Sequence, residues 1–367
     1  MRIISLEVIA VRLPFQEPVS DSLGTYSCSN HGLVKVTAES GLYGIGEIAL
    51  AWFGGVHSLC QEVRNHWTSL VVGEHLTNIN AICRKMDSMC SFSQRHLLAK
   101  AGVEMALFDL LGKHLNIPVY QLLGGKVRHS IPLTGGVPID SIENMVKTAE
   151  RKVEEGYKEL KIKVGLDDRQ DLCTVSSIRR AIPDHIRLRV DANMAWSNRK
   201  QAKRLIDEMV KWGVEIIEQP LPAEYIEDTV WLREHTDALI LLDEGAWEIK
   251  QAKIALDKGA ADLLHVYVSE AGGLAASRSL FELAALYNVP CTIGSMPEGR
   301  IGAVASAHLA IAMPNLSSFA SDIRGFTGYQ SDLVTEDLTI RDGQLFVPER
   351  PGLGLSLDEE QLDRLRI

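Results

Sequence analysis

The fold of this chain is decided by four short segments: KELKIKVG at residues 158–165, RLRVDAN at 187–193, VEIIEQP at 214–220 and LILLDE at 239–244. Each segment contains a run of Val, Ile or Leu, which is typical of a β-strand, and ends near a charged side chain. A stretch compatible with a helix follows each of them. The alternation predicts parallel strands that are connected by helices.

The ends of these strands recur with a regular period. Lys163, Asp191, Glu218, Asp243 and Tyr267 follow one another at intervals of 24–28 residues, which fit one strand, one helix and two loops. Eight such runs occur, at residues 131–135, 160–164, 187–191, 214–218, 239–243, 263–267, 290–294 and 318–322. They predict an α/β barrel of the TIM type, and a doubly wound open sheet is the less regular alternative.

The segments on either side of the barrel differ in pattern. Residues 1–50 alternate like antiparallel strands, and residues 56–123 become helical. From Asp332 onward the period stops, and a strand–turn–strand pattern follows. We therefore predict three parts: an N-terminal α+β capping domain over residues 1–125, a catalytic barrel over 126–328, and a C-terminal segment over 329–367 that packs back on the capping domain.

Composition places the chain among ordinary globular proteins. Of its 367 residues, 46% are hydrophobic, and 38 basic against 48 acidic side chains give a net charge of −10, which argues against a nucleic-acid partner. No apolar run reaches the ~18 residues of a membrane span, and Glu7 and Arg12 interrupt the N-terminus, so we expect neither a membrane partner nor a signal peptide. The six cysteines form no CxxC pair, and we expect reduced thiols and a cytoplasmic location.

Three carboxylates at adjacent strand ends predict a metal site. Barrel enzymes place their functional side chains at the C-terminal ends of the strands, where Asp191, Glu218 and Asp243 would converge. Three uncompensated negative charges would be severely unfavourable, which predicts a hard divalent cation. Oxygen ligands suit Mg²⁺, with Mn²⁺ as a substitute. A single aspartate is more often a helix N-cap, but that interpretation does not account for three acids at matching positions.

A pair of lysines precedes these acids. Lys161 and Lys163 lie two residues apart on one strand, so both point to the same side, into the barrel mouth. A second ammonium and a dication nearby would both disfavour the protonated form of Lys163, which makes it the candidate base. We expect Lys161 to have a supporting role, in which it lowers the pKa of Lys163 and contacts a substrate carboxylate. The competing interpretation of Lys163 is a surface lysine that extends into solvent.

As an ordered set, these motifs resemble the enolase superfamily and, within its mandelate racemase/muconate lactonizing enzyme family, the muconate lactonizing enzyme subgroup. The motifs are KIK at 161–163, DAN at 191–193, EQP at 218–220, DE at 243–244, GG at 272–273 and GSMPEGRIG at 294–302. The resemblance implies a (β/α)7β barrel, an N-terminal capping domain completed by the C-terminal tail, and a homo-oligomer. It also implies that a small-molecule carboxylate substrate loses its α-proton to a base while Mg²⁺ on the three acids stabilises an enediolate.

The sixth strand departs from that family pattern. The subgroup usually has a second lysine there, whereas this chain has Tyr267. A phenol is a poor base at neutral pH but a suitable acid or hydrogen-bond donor, which favours a one-base dehydration of a hydroxy acid or a cycloisomerisation. Two alternatives stay open: an epimerase or racemase of an amino acid or dipeptide derivative with Tyr267 as the second acid or base, and a catalytically inactive binding protein.

Further candidates surround this centre. His265 shares the inward side of its strand with Tyr267, and either tunes the phenol or is a buried, hydrogen-bonded core histidine. At the eighth strand the family often has Asp-x-Asp, and Arg324 after Asp322 favours an anionic or carbonyl-bearing substrate end over an ammonium. The other candidates for substrate binding are Asn193, Glu298, Tyr26, Trp52 and Phe53, and Glu244 is a candidate supporting residue.

Overall fold

The computed structural model describes residues 1–20, 25–50, 55–90 and 96–367. The N-terminal part is an antiparallel sheet in the order β1-β2-β3, covered by helices. Its strands are β1 (Ile3–Ser20), β2 (Thr25–Ala38) and β3 (Tyr43–Leu50). Its helices are α1 (Val56–Glu62), α2 (Thr68–Val71), α3 (Ile79–Cys90), α4 (Leu97–Leu115) and α5 (Val119–Leu122), with a π-helical turn over Val63–Trp67.

Helix α4 packs directly on strand β3 because two glycines allow the backbones to touch. A Cβ at Gly44 would lie 2.1 Å from the carbonyl oxygen of Ala106, and one at Gly46 would lie 2.0 Å from that of Gly102. Both glycines therefore serve the close packing of the helix on the strand. The contact brings α4 and β3 together at the edge that faces the barrel.

The barrel strands and helices alternate as the periodicity predicts. The chain runs through β4 (Ile131–Pro132), β5 (Gly135–Val137), α6 (Ile142–Glu154), β6 (Glu159–Lys163), α7 (Asp168–Ala181), β7 (Arg187–Asp191), α8 (Arg199–Val210), β8 (Val214–Glu218) and α9 (Ile226–His235). It continues through β9 (Leu239–Leu242), α10 (Ile249–Lys258), β10 (Leu263–Val266), α11 (Val268–Ala271), α12 (Leu274–Leu286), β11 (Cys291–Ile293) and α13 (Arg300–Ala312). Seven strands, β5 to β11, form one parallel sheet in sequence order.

The first predicted strand is displaced from its expected place. The barrel strand is β5, three residues long, whereas β4 pairs antiparallel with β13 of the C-terminal segment. That segment contains β12 (Thr339–Arg341), β13 (Gln344–Phe346) and α14 (Glu359–Leu365). It also reaches the capping domain, since Arg366 forms an isolated bridge with Val11. The three predicted domain boundaries remain predictions.

The predicted eighth strand, residues 318–322, does not form. The segment still closes the barrel, because Ser321 exchanges backbone hydrogen bonds with Pro132 and Thr134, and the amide of Asp322 bonds Ile293 at 2.7 Å. The backbone groups of Ala320 are taken by side chains of the barrel interior: its amide donates to Glu159 Oε2 at 3.0 Å and its carbonyl accepts from Arg189 at 2.6 Å. A regular ladder would need those groups.

The core has two main parts, one inside the capping domain and one shared by the barrel and the C-terminal segment. None of the described helices is long and apolar enough to span a bilayer. The cysteines whose side chains are described, Cys28, Cys60, Cys83, Cys173 and Cys291, are free thiols.

Candidate active site

The buried lysine of the predicted pair, Lys161, lies among three carboxylates at the barrel mouth. Its Nζ is 2.6 Å from Glu218 Oε1 and 3.0 Å from Asp191 Oδ2. A third contact, also 3.0 Å, joins it to Asp322 Oδ2. Burial would lower the pKa of Lys161, but the surrounding carboxylates more than offset this effect and raise it well above its ordinary value. Lys161 is therefore a permanent cation here.

The second lysine, Lys163, is more open. Its Nζ donates to Asp191 Oδ2 at 2.6 Å and to Asn193 Oδ1 at 2.5 Å, while 34% of its side chain is exposed. Asn193 is held in turn by Glu244, whose Oε1 accepts from Nδ2 at 3.0 Å. The amine thus has two fixed partners on one side and open space on the other.

Asp191, at the end of β7, serves both lysines. Burial would raise the pKa of its carboxyl, but Lys163 and Lys161 more than offset this and lower it. Its other oxygen, Oδ1, accepts the backbone amide of Asn193 at 2.9 Å. The carboxylate is thus ionised and fixed in orientation.

Asp243 and Tyr267 form a second hydrogen-bonded group. The Tyr267 hydroxyl donates to Asp243 Oδ2 at 2.9 Å, and Trp247 Nε1 donates to Oδ1 at 2.7 Å. The phenol ring lies against Gly294, where a Cβ would be 2.2 Å from Cζ. Burial, followed by the charge of Asp243, raises the pKa of Tyr267 well above its ordinary value. The phenol is therefore neutral and acts as a donor.

His265 lies beside that phenol, as its position on the strand predicts. Its ring meets the Tyr267 ring edge-on, with centroids 5.2 Å apart, and Nδ1 is 2.6 Å from Thr292 Oγ1. Burial, and then the charges of Lys161 and Arg189, lower the pKa of His265 well below its ordinary value. The ring is neutral, so both predicted interpretations, core histidine and neighbour of the phenol, fit its surroundings.

Sequence reasoning missed several residues of this centre, among them Arg189, Glu159 and Trp247. Arg189, fully buried beneath the acids, donates from Nε and Nη2 to Glu159 Oε1 at 3.0 and 2.5 Å, and its Nη1 is 3.5 Å from Glu218 Oε2. Its signal was available, because a charged residue two positions before Asp191 points to the same side. Trp247 had no signal, because its indole reaches Asp243 only through the turn that follows β9.

Arg324 occupies the mouth beside Lys161. Its Nε donates to Asp322 Oδ1 at 2.5 Å, and Thr134 Oγ1 donates to the same oxygen at 2.8 Å. The guanidinium covers Gly136, where a Cβ would lie 2.2 Å from Cζ, so a larger residue there would displace the guanidinium. Burial would raise the pKa of Asp322, but Arg324 and Lys161 more than offset it and lower it well below its ordinary value.

Glu298 is a buried carboxyl of a different kind. Ser295 Oγ hydrogen-bonds to its Oε2. Burial raises the pKa of Glu298 well above its ordinary value, and repulsion from Glu47 and Glu270 adds to the effect. Among the predicted cap residues, Tyr26 is half-buried and packs on the core, whereas Trp52 and Phe53 lie outside the described residues.

The chemistry of this donor set fits a divalent cation. Within the described ranges, no three acidic, histidine or cysteine side chains are already arranged as a metal site. Burial and mutual repulsion raise the pKa values of Glu218 and Asp243, and Glu244 Oε2 is buried without a hydrogen-bond partner in the described structure. The described barrel interior, from the N-terminal end of β6 up to the mouth, holds six carboxylates and four cations: Glu159, Asp191, Glu218, Asp243, Glu244 and Asp322 against Lys161, Lys163, Arg189 and Arg324. A dication would neutralise the two excess charges.

Lysines and acids at the strand ends of a capped barrel are typical of a barrel enzyme. Comparisons with known families show to which family of enzymes the chain belongs. Residues 3–124 match the family model "Mandelate racemase / muconate lactonizing enzyme, N-terminal domain", and residues 144–361 match "Enolase C-terminal domain-like". The chain therefore belongs to the enolase superfamily, in the mandelate racemase/muconate lactonizing enzyme family. The predicted family and fold class are confirmed.

Individual relatives match this chain over nearly its whole length. The N-succinyl-L-Arg/Lys racemase of Bacillus cereus is 28% identical, with 100% of this chain and 98% of the relative covered. The L-Ala-D/L-Glu epimerase of Bacillus subtilis is 30% identical, with 97% of each covered. The solved structure of a muconate lactonizing enzyme from Pseudomonas fluorescens, complexed with muconolactone, has a TM-score of 0.93 and 30% identity, with 100% of this chain and 99% of that chain covered.

Proposed function

We propose that this enzyme removes the α-proton of a small carboxylate substrate with a single base, Lys163. The observation that carries the proposal is the neutral, hydrogen-bonded phenol of Tyr267 on β10. Strands β6 and β10 lie four places apart in the barrel sheet, so Tyr267 stands across the mouth from Lys163. A second base would have to come from that side.

Asp191, Glu218 and Asp243 would hold a divalent cation, Mg²⁺ by the chemistry of their oxygens. When bound, such a cation supplies a fixed positive charge for the substrate carboxylate and for the negative charge that develops as the α-proton leaves. Lys161, a permanent cation beside the same acids, would add a hydrogen bond to that carboxylate.

Lys163 would carry the proton. As a free amine, Lys163 takes the proton when the α C–H bond breaks. Asp191 and Asn193 accept hydrogen bonds from Nζ and so hold the resulting ammonium in place. In a dehydration, that ammonium or Tyr267 protonates the leaving hydroxyl, which departs as water. In a cycloisomerisation, the electron pair left by the α-proton forms a C=C bond as a carboxylate oxygen leaves the β-carbon and the ring opens. In the reverse direction the oxygen adds to that bond, and the Lys163 ammonium gives its proton to the α-carbon on one face of the substrate.

Two residues would select the far end of the substrate. Arg324 uses Nε on Asp322, so the outer nitrogens of its guanidinium are oriented as a fork for a carboxylate or carbonyl. Glu298, whose raised pKa keeps it protonated, would donate a hydrogen bond to a substrate oxygen. Both roles favour an anionic or carbonyl-bearing substrate over one that ends in an ammonium.

A second candidate is a two-base epimerisation. It is favoured by the names of the two relatives described above, a racemase and an epimerase. In that reaction Tyr267 would have to exchange protons with the second face of the α-carbon, which its raised pKa opposes.

The two candidates differ in stereochemistry, and exchange in D₂O separates them. Each stereoisomer from a set of hydroxy acids, lactones and N-acyl amino acids is incubated with Mg²⁺-loaded enzyme and analysed by mass spectrometry. We expect exchange or elimination from one stereoisomer, with its mirror image at least ~10²-fold slower, the scale of a missing general base. Tyr267→Phe should slow turnover and leave exchange by Lys163 largely intact. Similar rates for both stereoisomers would establish the epimerase instead.

A further inference from the structure

Helix α13 follows the loop of residues 294–299, which begins at the end of barrel strand β11 and contains Glu298. The residue at the N-cap position is Gly299, which has no side chain with which to cap the helix. The first amides of a helix have no partners inside it and need acceptors from elsewhere. The capping domain and the C-terminal segment supply them.

Glu47, on strand β3 of the capping domain, accepts two of these amides. Its Oε1 accepts from Gly299 and its Oε2 from Gly302, both at 2.8 Å. A third amide, that of Arg300, donates to Asp332 Oδ2 at 2.9 Å. One buried carboxylate from a distant part of the chain therefore holds both sides of the first turn of α13.

Glu47 is itself held as an anion. Burial would raise its pKa, but His31 and the amides of Gly302 and Gly299 more than offset this and lower it. His31 Nδ1 lies 2.7 Å from Glu47 Oε1, and its Nε2 lies 3.1 Å from the hydroxyl of Tyr329. A negative charge at the N-terminus of α13 is also favoured by the helix dipole.

The turn that Glu47 holds is in contact with Glu298. A Cβ at Gly302 would lie 2.8 Å from Cβ of Glu298 and 3.3 Å from Glu47 Oε2, so all three residues meet at one point. A movement of this turn would displace the Glu298 carboxyl, whose neighbours include Ser295 of the same loop.

We infer that Glu47 is a positioning residue: from the capping domain, it holds the loop 294–299 on the barrel and thereby sets the place of the Glu298 carboxyl at the mouth. The part of this inference that concerns substrate rests on the proposed function. The part that concerns the loop does not depend on the proposed function, so the position of the loop and the effect on substrate can be tested separately.

The chain offers a matched control in Asp109 on helix α4. Asp109 is also fully buried, and its two oxygens accept the backbone amides of Leu353 at 2.7 Å and Ile45 at 2.8 Å. Neither amide belongs to a loop at the barrel mouth. Asp109→Asn and Glu47→Gln therefore make the same chemical change, and only one of them affects the loop 294–299.

Hydrogen–deuterium exchange of the full-length protein decides whether Glu47 holds the loop. Peptides that cover residues 294–304 should exchange at least ~10-fold faster in Glu47→Gln than in wild type, which corresponds to the loss of a buried, charge-assisted bond pair. The same peptides should exchange as in wild type in Asp109→Asn. Unchanged exchange in Glu47→Gln overturns the inference, whatever the activity of the protein.

Kinetics then decide whether the effect passes through Glu298. Relative to wild type, we expect kcat/KM for α-proton exchange to fall about tenfold in Glu47→Gln and by less than about threefold in Asp109→Asn. Relative to Glu298→Gln alone, the double variant that also carries Glu47→Gln should fall by less than about threefold. An equal loss with and without Glu298 overturns its part in the inference. If wild type exchanges no α-proton at all, the proposed function fails while the deuterium result stands.

Should Glu47→Gln fail to fold, Glu47→Asp replaces it in both experiments. This variant keeps the charge beside His31, but its shorter side chain cannot reach both the Gly299 and Gly302 amides, so the expected effects have the same direction and smaller size. A folded Glu47→Asp with wild-type deuterium exchange in residues 294–304 would overturn the inference.

Discussion

Two sets of buried carboxylates in this molecule differ in what they bind. At the barrel mouth, the acids are held mainly by the side chains of Lys161, Lys163, Arg189, Trp247 and Tyr267. Between the capping domain and the rest of the chain, the acids accept backbone amides in addition to side chains such as His31 on Glu47 and Lys113 on Asp109. The members of the second set are Glu47, Glu104 and Asp109.

Glu104 of helix α4 illustrates the second set. Its Oε2 accepts the amide of Ala275 in the first turn of α12, at 3.3 Å. The N-cap residue of that helix, Gly273, has a φ of +123°, and a Cβ there would lie 1.8 Å from Glu104 Oε2. No side chain fits at the cap, so the capping domain provides the acceptor, as Glu47 does for α13.

The two sets of carboxylates differ because their hydrogen-bond partners differ in mobility. A backbone amide is fixed by the fold, so a carboxylate that binds one is committed to that place. The partly exposed ammonium of Lys163 can move away or give up its proton, so a carboxylate that it holds can accept another cation. The first set therefore has exchangeable partners and suits chemistry, and the second set has fixed partners and suits docking.

The largest effect is expected at the first set. Asp191→Asn keeps the size of the side chain but removes the charge that both lysines share, so α-proton exchange should be abolished. The thermal unfolding curve should show an intact fold, because asparagine keeps the Oδ1 acceptor for the backbone amide of Asn193. Full activity of the wild type in excess EDTA would contradict the metal site. Wild-type activity of Asp191→Asn would show that the carboxylates of the first set do not serve the chemistry.

A smaller loss is expected at the base. Lys163→Ala should lower the rate of α-proton exchange at least ~10²-fold, the low end for removal of a general base. Lys158→Ala, an exposed lysine just before the same strand, is the matched control and should exchange at the wild-type rate. If Lys163→Ala exchanged the proton as fast as the wild type, the base would have to be another residue.

The smallest effect is expected at the second set, and it concerns stability and pH. Burial raises the pKa of Glu104 from 4.5 to about 7, with Lys100 opposing the shift. The folded state therefore binds a proton more tightly than the unfolded state, and stability contributed by the protonated carboxyl is lost as the pH rises from about 4.5 through about 7.

Glu104→Gln resembles the protonated state and removes this dependence. Denaturant unfolding at pH 5 and pH 8 should show that the variant gains stability relative to wild type at the higher pH, by up to about 3 kcal/mol. Asp87, Cys83 and Lys100 are the other titratable groups at this place, and they are common to both proteins. A pH-independent difference between the two proteins would show that Glu104 does not titrate in this range.

Local pattern was enough to predict much of the site. The period of two along β6 puts Lys161 and Lys163 on one side, and the 24–28-residue interval puts Asp191, Glu218 and Asp243 at one end of the barrel. There Lys161 contacts Asp191 and Glu218, and Asp243 accepts from Tyr267 in a second hydrogen-bonded group. The eighth strand was predicted wrongly because its backbone bonds to Glu159 and Arg189, which the local sequence of residues 318–322 does not reveal.

Periodicity and the identity of the strand-end residues therefore predict the barrel and the candidate residues for its chemistry, since both depend on spacing along one chain. The partners that control those residues depend on contacts across hundreds of positions. Glu47 meets the first turn of α13 across 252 residues, and Leu353 donates to Asp109 across 244. Only the tertiary structure decides such pairs, because a buried carboxylate takes whichever amide the packing of two domains brings to it.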